Sequence, residues 1–168
     1  VLQLELGRPE RALRELQTAV RLQPVFSACW HLLGRCQVAQ GQLPEGISSL
    51  YRACQQQPDF AEAHNDLGNA LKDYGRTAES VVCYERALAL RPDLVEAWNN
   101  LGNSLGQLGR SPEALNCFRQ ALRLKPDFAD AHLNLGNLFK QRGLADDASF
   151  CFQEALRCKP GFPQAHNN

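Results

Sequence analysis

Asparagine is the residue type whose placement first suggests chemistry. The 168-residue chain holds ten, and nine stand at Asn65, Asn69, Asn99, Asn100, Asn103, Asn134, Asn137, Asn167 and Asn168, in segments with helical patterning. Only Asn116 stands apart. An asparagine inside a helix costs about 0.5–0.7 kcal/mol relative to alanine, so tertiary structure or binding must compensate. Asn65/Asn69 and Asn99/Asn103 are four residues apart, while Asn100/Asn103 and Asn134/Asn137 are three apart. Each set therefore lies on one helical stripe. Every amide offers two donor and two acceptor sites, so the stripes form a hydrogen-bonding surface.

Other reactive types converge less well. His64, His132 and His166 share one repeated position with Trp30 and Trp98, which suits packing or an interface better than metal binding. Cys83, Cys117 and Cys151 are 34 residues apart, and stacked helices sit about 8–10 Å from one another. A disulfide needs Cα atoms within about 7 Å, and zinc needs sulfurs at about 2.3 Å. The seven cysteines, with no CxxC pair, therefore read as free, mostly buried thiols acting as small hydrophobes. That favours a reducing compartment, cytoplasmic or nucleocytoplasmic. The stretch Gly102-Asn-Ser-Leu-Gly106-Gln-Leu-Gly109 follows no strand and matches no phosphate-cradling loop. No Ser-His-Asp or Cys-His arrangement can be nominated. The reading is of a non-catalytic chain with no cofactor and no metal.

The elements that position these residues repeat. Prolines stand at Pro24, Pro58, Pro92, Pro126 and Pro160, each 34 residues after the last. Residues 58–91 and 92–125 are identical at 16 of 34 places, and residues 24–57 and 126–159 fit the same frame. Each unit contains two helical patterns split by Gly41, Gly75, Gly109 or Gly143, placed as glycines just past a helix end. Asp59 with Glu62, Asp93 with Glu96, and Asp127 with Asp130 predict a capping box at each first helix. Second helices carry broad apolar stripes, such as Ala114, Leu115, Cys117, Phe118, Ala121 and Leu122. The periodic proline ends them. Small residues at Gly34, Gly68, Gly102 and Gly136 face large ones at Leu50, Tyr84, Phe118 and Phe152.

Composition agrees. Hydrophobic residues make up 44% and charged residues 21%, as in a soluble folded chain. Eighteen basic and eighteen acidic residues cancel. No basic face is visible for nucleic acid, and no apolar run approaches the roughly 20 residues of a membrane span.

Trp98-x-x-Leu101-Gly102-x-x-Leu105, followed by Ala114, Phe118, Ala121 and Pro126, resembles the tetratricopeptide repeat, W-x₂-L-G-x₂-Y then A, F, A and P. The resemblance covers essentially the whole chain. Histidine for tryptophan, leucine or glutamine for tyrosine at Leu71, Leu105 and Gln37, and Gly46 and Ser80 at an alanine site are mild departures. The resemblance implies an all-α fold, a right-handed αα-hairpin solenoid with four complete repeats and partial ones at both ends. Residues 1–168 would form one array. The first 23 residues would hold the end of a first helix, through Leu6, and a second helix ending at Gln23. The last nine would begin another first helix. Neither end reads as a polar capping helix, so the chain reads as a window on a longer array, and end-to-end self-association is an expectation.

In tetratricopeptide superhelices the first helices line the concave surface, which would place the asparagine stripes in a groove. There they could hold an extended peptide backbone, or instead bond to neighbouring repeats and stiffen the array. The candidate peptide-binding set is Asn65, Asp66, Asn69, Lys72, Asn99, Asn100, Asn103, Asn134, Asn137 and Lys140. The partner is a protein or peptide, with no nucleic acid and no membrane. Co-chaperone tetratricopeptide domains clamp a C-terminal carboxylate with Lys, Arg and Asn. Here Glu96 with Asn100, and Asp130 with Asn134, stand where cations should be. The Asn-Asn-Leu-Gly-Asn wording is also similar to the superhelical arm of O-GlcNAc transferases. That similarity implies an alternative, a substrate-recruiting arm of a larger glycosyltransferase. His31, Leu32 and Arg35 replace asparagines in the first complete repeat, so the ladder is expected to start at the second.

Overall fold

The computed structural model describes residues 9–22 and 25–159, and these are helical with short connections. The expectations placed on Leu6, Gln23, Pro24, Pro160, His166, Asn167 and Asn168 lie outside the described residues. Helices run over α1 (Pro9–Leu22), α2 (Ser27–Ala39), α3 (Leu43–Gln56), α4 (Ala61–Asp73), α5 (Thr77–Leu90), α6 (Val95–Gln107), α7 (Ser111–Leu124), α8 (Ala129–Gln141) and α9 (Ala145–Cys158). The chain divides into two compact units, residues 1–91 and 92–168. In the first, α2 pairs with α3 and α4 with α5, while α1 packs on α2 and α3 on α4. In the second, α6 pairs with α7 and α8 with α9, and α8 also packs on α6 and α7. The first helices of the hairpins are thus α2, α4, α6 and α8.

The hairpin turns follow from backbone sterics. Gly41, Gly75, Gly109 and Gly143 take φ values of +77°, +87°, +76° and +73°, a left-handed conformation that costs other L-residues energy. At Gly75 its own N–H donates to Lys72 O at 2.9 Å, and Arg76 N–H donates to Leu71 O at 2.8 Å. These are the two bonds that satisfy the last carbonyls of a helix ending in this way.

The predicted capping boxes do not form. The residues at the helix-entry positions are Phe60, Leu94 and Phe128, and no side chain caps them. Asp59 and Asp127 sit one residue too early because Pro-Asp occupies the centre of a tight turn. Phe60 N–H closes that turn on Gln57 O, and Phe128 N–H closes its counterpart on Lys125 O, both at 3.2 Å. Proline with its fixed φ suits the second place of such a turn. Glu62, Glu96 and Asp130 still lie in the first helical turn, where the macrodipole favours them.

Packing within each hairpin is tight at the glycines. A Cβ added to Gly68 would lie 2.6 Å from Tyr84 Cε1, and one added to Gly102 would lie 2.7 Å from Phe118 Cε1. The glycines are what let a large ring fill the space between two helices. Tyr84, Leu50, Ala53, Ala87, Ala114 and Ala121 are essentially inaccessible. Full burial of a large apolar side chain contributes about 1.5–3 kcal/mol. In the first unit Leu50, Ala53, Cys54, Ala63, Leu67, Ala70 and Leu71 form one cluster, with Trp30, Phe60 and Cys83 against it. In the second, Ala129, Leu133, Ala148, Phe152 and Ala155 form another.

Candidate peptide-binding face of the first helices

A shared device orients the first helices. Trp98 Nε1 donates to the Pro92 carbonyl at 2.8 Å. The imidazole Nε2 of His64 bonds the Pro58 carbonyl at 3.1 Å, and that of His132 bonds the Pro126 carbonyl at 2.9 Å. Histidine therefore replaces tryptophan without losing the ring N–H that ties the helix to its entry turn. Burial pushes the His64 pKa below its ordinary value of 6.5, with the Pro58 carbonyl opposing and Arg86 assisting that shift.

In the first unit the polar positions are taken up internally. His31 Nε2 donates to Asp66 Oδ2 at 2.7 Å, and Arg35 Nε lies 3.5 Å from the same oxygen. The Phe60 ring meets His31 edge-on, with centroids 4.8 Å apart. This ties α2 to α4. Asn65 is buried, and Asn69 accepts a 2.8 Å hydrogen bond from the Tyr84 hydroxyl. Lys72 is half-buried near the end of α4.

In the second unit Asn134 Nδ2 donates to Asn99 Oδ1 at 3.0 Å, tying α6 to α8. Asn99 is buried, while Asn100, Asn103, Asn134 and Asn137 are half-buried and Lys140 is exposed. Asn103, Asn134, Asn137 and Lys140 converge on one cleft of about 460 Å³ with Gly102, Gly106 and Phe118 in its wall. Four of the ten predicted residues are thus gathered at a single place. Asn65 and Asn99 face inward, and Asp66 is held by His31 and Arg35.

Two residues that the sequence set aside belong to the same system. His31 and Arg35 break the asparagine pattern yet hold Asp66. The signal was available in the spacing: His31 to Asp66 and Asn99 to Asn134 are both 35 residues apart, and each pair has complementary chemistry.

Burial holds Cys54 and Cys83 back from reaction. Desolvation raises Cys54 to about 12 and Cys83 to about 11, with nearby acidic groups adding to both. Among the described residues, no group of three or more His, Cys, Asp or Glu side chains could hold a metal ion. No described helix is long and apolar enough to cross a membrane.

Repeated antiparallel hairpins of this period define an αα-hairpin repeat protein. Family models described as "Tetratricopeptide repeat" match residues 2–62 and 129–162, and one described as "TPR repeat" matches residues 68–109 and 106–143. The chain belongs to the tetratricopeptide repeat family. Among solved structures it is similar to YrrB, described as a TPR protein with an unusual peptide-binding site (22% identity, TM-score 0.81, covering 96% of this chain and 84% of that one). It is also similar to MamA from Desulfovibrio magneticus RS-1 (18% identity, TM-score 0.86, covering 95% and 90%). A third is pilF of Pseudomonas aeruginosa (18% identity, TM-score 0.85, covering 96% and 74%). No curated protein matches the sequence significantly.

Proposed function

We propose that the chain is a non-catalytic protein- or peptide-binding module, and that its first helices hold an extended partner segment through side-chain amides. The observation that carries this reading is the convergence of Asn103, Asn134, Asn137 and Lys140 on one polar cleft of about 460 Å³. Few convergent polar groups in a concave site are what fixes the orientation of a bound ligand. The description of YrrB, an array of the same fold, supports a peptide as the class of ligand. Asn99, being buried and bonded to Asn134, serves this surface by positioning rather than by touching the partner. The reducing compartment suggested by seven free thiols makes the cytoplasm or nucleus the proposed location.

The test separates binding from stiffening. Asn103→Ala with Lys140→Ala should abolish capture of an unstructured peptide library while shifting the melting temperature by only a few degrees, since Lys140 is exposed and Asn103 half-buried at the cleft. Asn134→Ala removes the partner of buried Asn99 and should lower both. Unchanged capture in the Asn103/Lys140 variant would overturn the reading, and light scattering at increasing concentration distinguishes capture from self-association. The glycosyltransferase-arm alternative rests on the asparagines at 100 and 134. It predicts that the array, fused to a nucleotide-sugar-dependent domain, raises transfer to long protein substrates but not to short peptides.

A further inference from the structure

A second cleft lies away from the asparagine face, bounded by α1, α2 and α3 and measuring about 810 Å³. Its wall carries three arginines, Arg14, Arg21 and Arg52, against one carboxylate, Glu45. Residues 1–57 hold only six basic residues in all, so half of them converge here. The floor is apolar: Val20 and Leu33 are buried, and Trp30 is half-buried beside them. The Arg52 guanidinium stacks over the Trp30 ring at 4.7 Å from the centroid. Among the described residues, none of the three guanidinium groups is ion-paired within the fold.

The next repeat supplies an internal control. Thirty-four residues on, equivalent lining positions are Tyr51, Gln55, His64, Val82 and Arg86, and the cleft there is about 350 Å³. Arg14 is replaced by Ser48, Arg21 by Gln55, Ser48 by Val82 and Trp30 by His64. One backbone thus presents a narrower recess with a single arginine, Arg86, in one repeat and a wide cleft with three arginines and a tryptophan in the other. Packing of α1–α3 does not demand Arg14 and Arg21, since the equivalent helices pack with Ser48 and Gln55 there and keep only Arg86 in the place of Arg52.

We propose that this cleft between α1 and α3 is a second binding site, for an acidic protein segment carrying a large apolar side chain. The apolar side chain sits on Val20, Trp30 and Leu33. Carboxylates on either side meet Arg14, Arg21 and Arg52, whose planar forks match them bidentately. Tryptophan and arginine are the types that dominate interface energetics, and Arg52 is already oriented by its stack on Trp30. A nucleic acid fits less well, because phosphate binding needs a basic stripe and the chain has no net charge.

The test uses the full chain and a fluorescein-labelled peptide, Asp-Glu-Leu-Phe-Asp-Glu, followed by anisotropy and by Trp30 emission in a Trp98→His background. Arg14→Glu with Arg21→Glu should weaken binding by at least about tenfold per arginine lost, as expected for charge-assisted pairs. Binding should also fall with salt. Asn103→Ala with Lys140→Ala should leave it unchanged. Arg14→Gln with Arg21→Gln, milder for folding, should give the same order of effects. Equal binding by the arginine variants overturns the proposal. So does equal binding of the peptide with Asn and Gln in place of its acids, or displacement by an equally charged single-stranded oligonucleotide at the same concentration.

Discussion

The two units solve one problem with different polar groups. In residues 1–91 consecutive first helices are tied by His31 and Asp66, at 2.7 Å with Arg35 nearby. In residues 92–168 the same register carries Asn134 and Asn99, at 3.0 Å. A second difference runs beside it. Tyr84 and Phe118 are equivalent, both buried against a first-helix glycine. The Tyr84 hydroxyl occupies the Asn69 oxygen, whereas Phe118 offers no hydroxyl to Asn103. So the first unit spends its polar side chains on itself, and the second leaves amides lining a cleft. One missing oxygen atom converts a structural asparagine into one available to a partner.

The largest effect should come from the rings. Phe118→Ala should lower stability by about 3–5 kcal/mol in urea unfolding, the cost of deleting a buried aromatic side chain. Tyr84→Ala should cost as much or more, because it also strips Asn69 of a hydrogen-bond donor. If Tyr84→Ala were the milder of the two, the Tyr84–Asn69 bond would be irrelevant to the first unit. The informative partner variant is Phe118→Tyr, which supplies the missing hydroxyl. It should leave stability nearly unchanged and weaken peptide capture at Asn103.

Next are the glycines that admit those rings. Gly68→Ala and Gly102→Ala would each force a ring to move, since the new Cβ falls 2.6 or 2.7 Å from a ring carbon. Overpacking of this kind costs about 1–3 kcal/mol. The first unit should suffer more, because Tyr84 cannot swing without giving up its bond to Asn69. Differential scanning calorimetry on both variants, and on Gly68→Ala in a Tyr84→Phe background, decides it. Equal costs in all three would remove that bond from the comparison.

Much of this architecture was legible. Glycines at positive φ and prolines after helix ends are constraints that few other residues meet, so a period of 34 read directly as hairpins. The capping boxes were misread because Asp59 is recruited by the Pro-Asp turn, a competition that residue types alone do not resolve. The asparagine stripes were visible, but their partners were not. Pairing across 35 residues depends on helix–helix register, which fixes Asn134 on Asn99 and leaves Asn103 and Asn137 at a cleft. His31 and Arg35 looked like a break in the ladder because the pattern was read by identity. Read by hydrogen-bonding capacity, His31 with Asp66 is the same rung.

The inter-helix ties themselves come third. Asp66→Ala leaves the buried His31 without its acceptor, and Asn134→Ala leaves the buried Asn99 oxygen without its donor. Stranding a buried polar group costs about 1–3 kcal/mol, measured as a shift in urea midpoint at constant slope. The ionic tie should also respond to salt and the amide tie should not. Equal salt dependence of the Asp66→Ala and Asn134→Ala costs would mean that the Arg35–Asp66 contact adds nothing to the first tie.

The smallest expected effect is on pH, and it sets two equivalent positions apart. His64 and Trp98 occupy equivalent positions and bond equivalent proline carbonyls, but only the histidine titrates. Burial lowers its folded pKa below 6.5, so the folded state resists the proton that the unfolded chain accepts. Below pH about 6.5 the unfolded chain binds more protons, and stability falls with pH until the folded imidazole is itself charged. Above that value both states are neutral at this site and the contribution is flat. His64→Trp keeps the N–H donor and removes the titration. Thermal melts at neutral pH and at about pH 5 should therefore show a smaller acid-induced loss in His64→Trp than in the parent. An identical loss in both would place the acid sensitivity elsewhere in the chain.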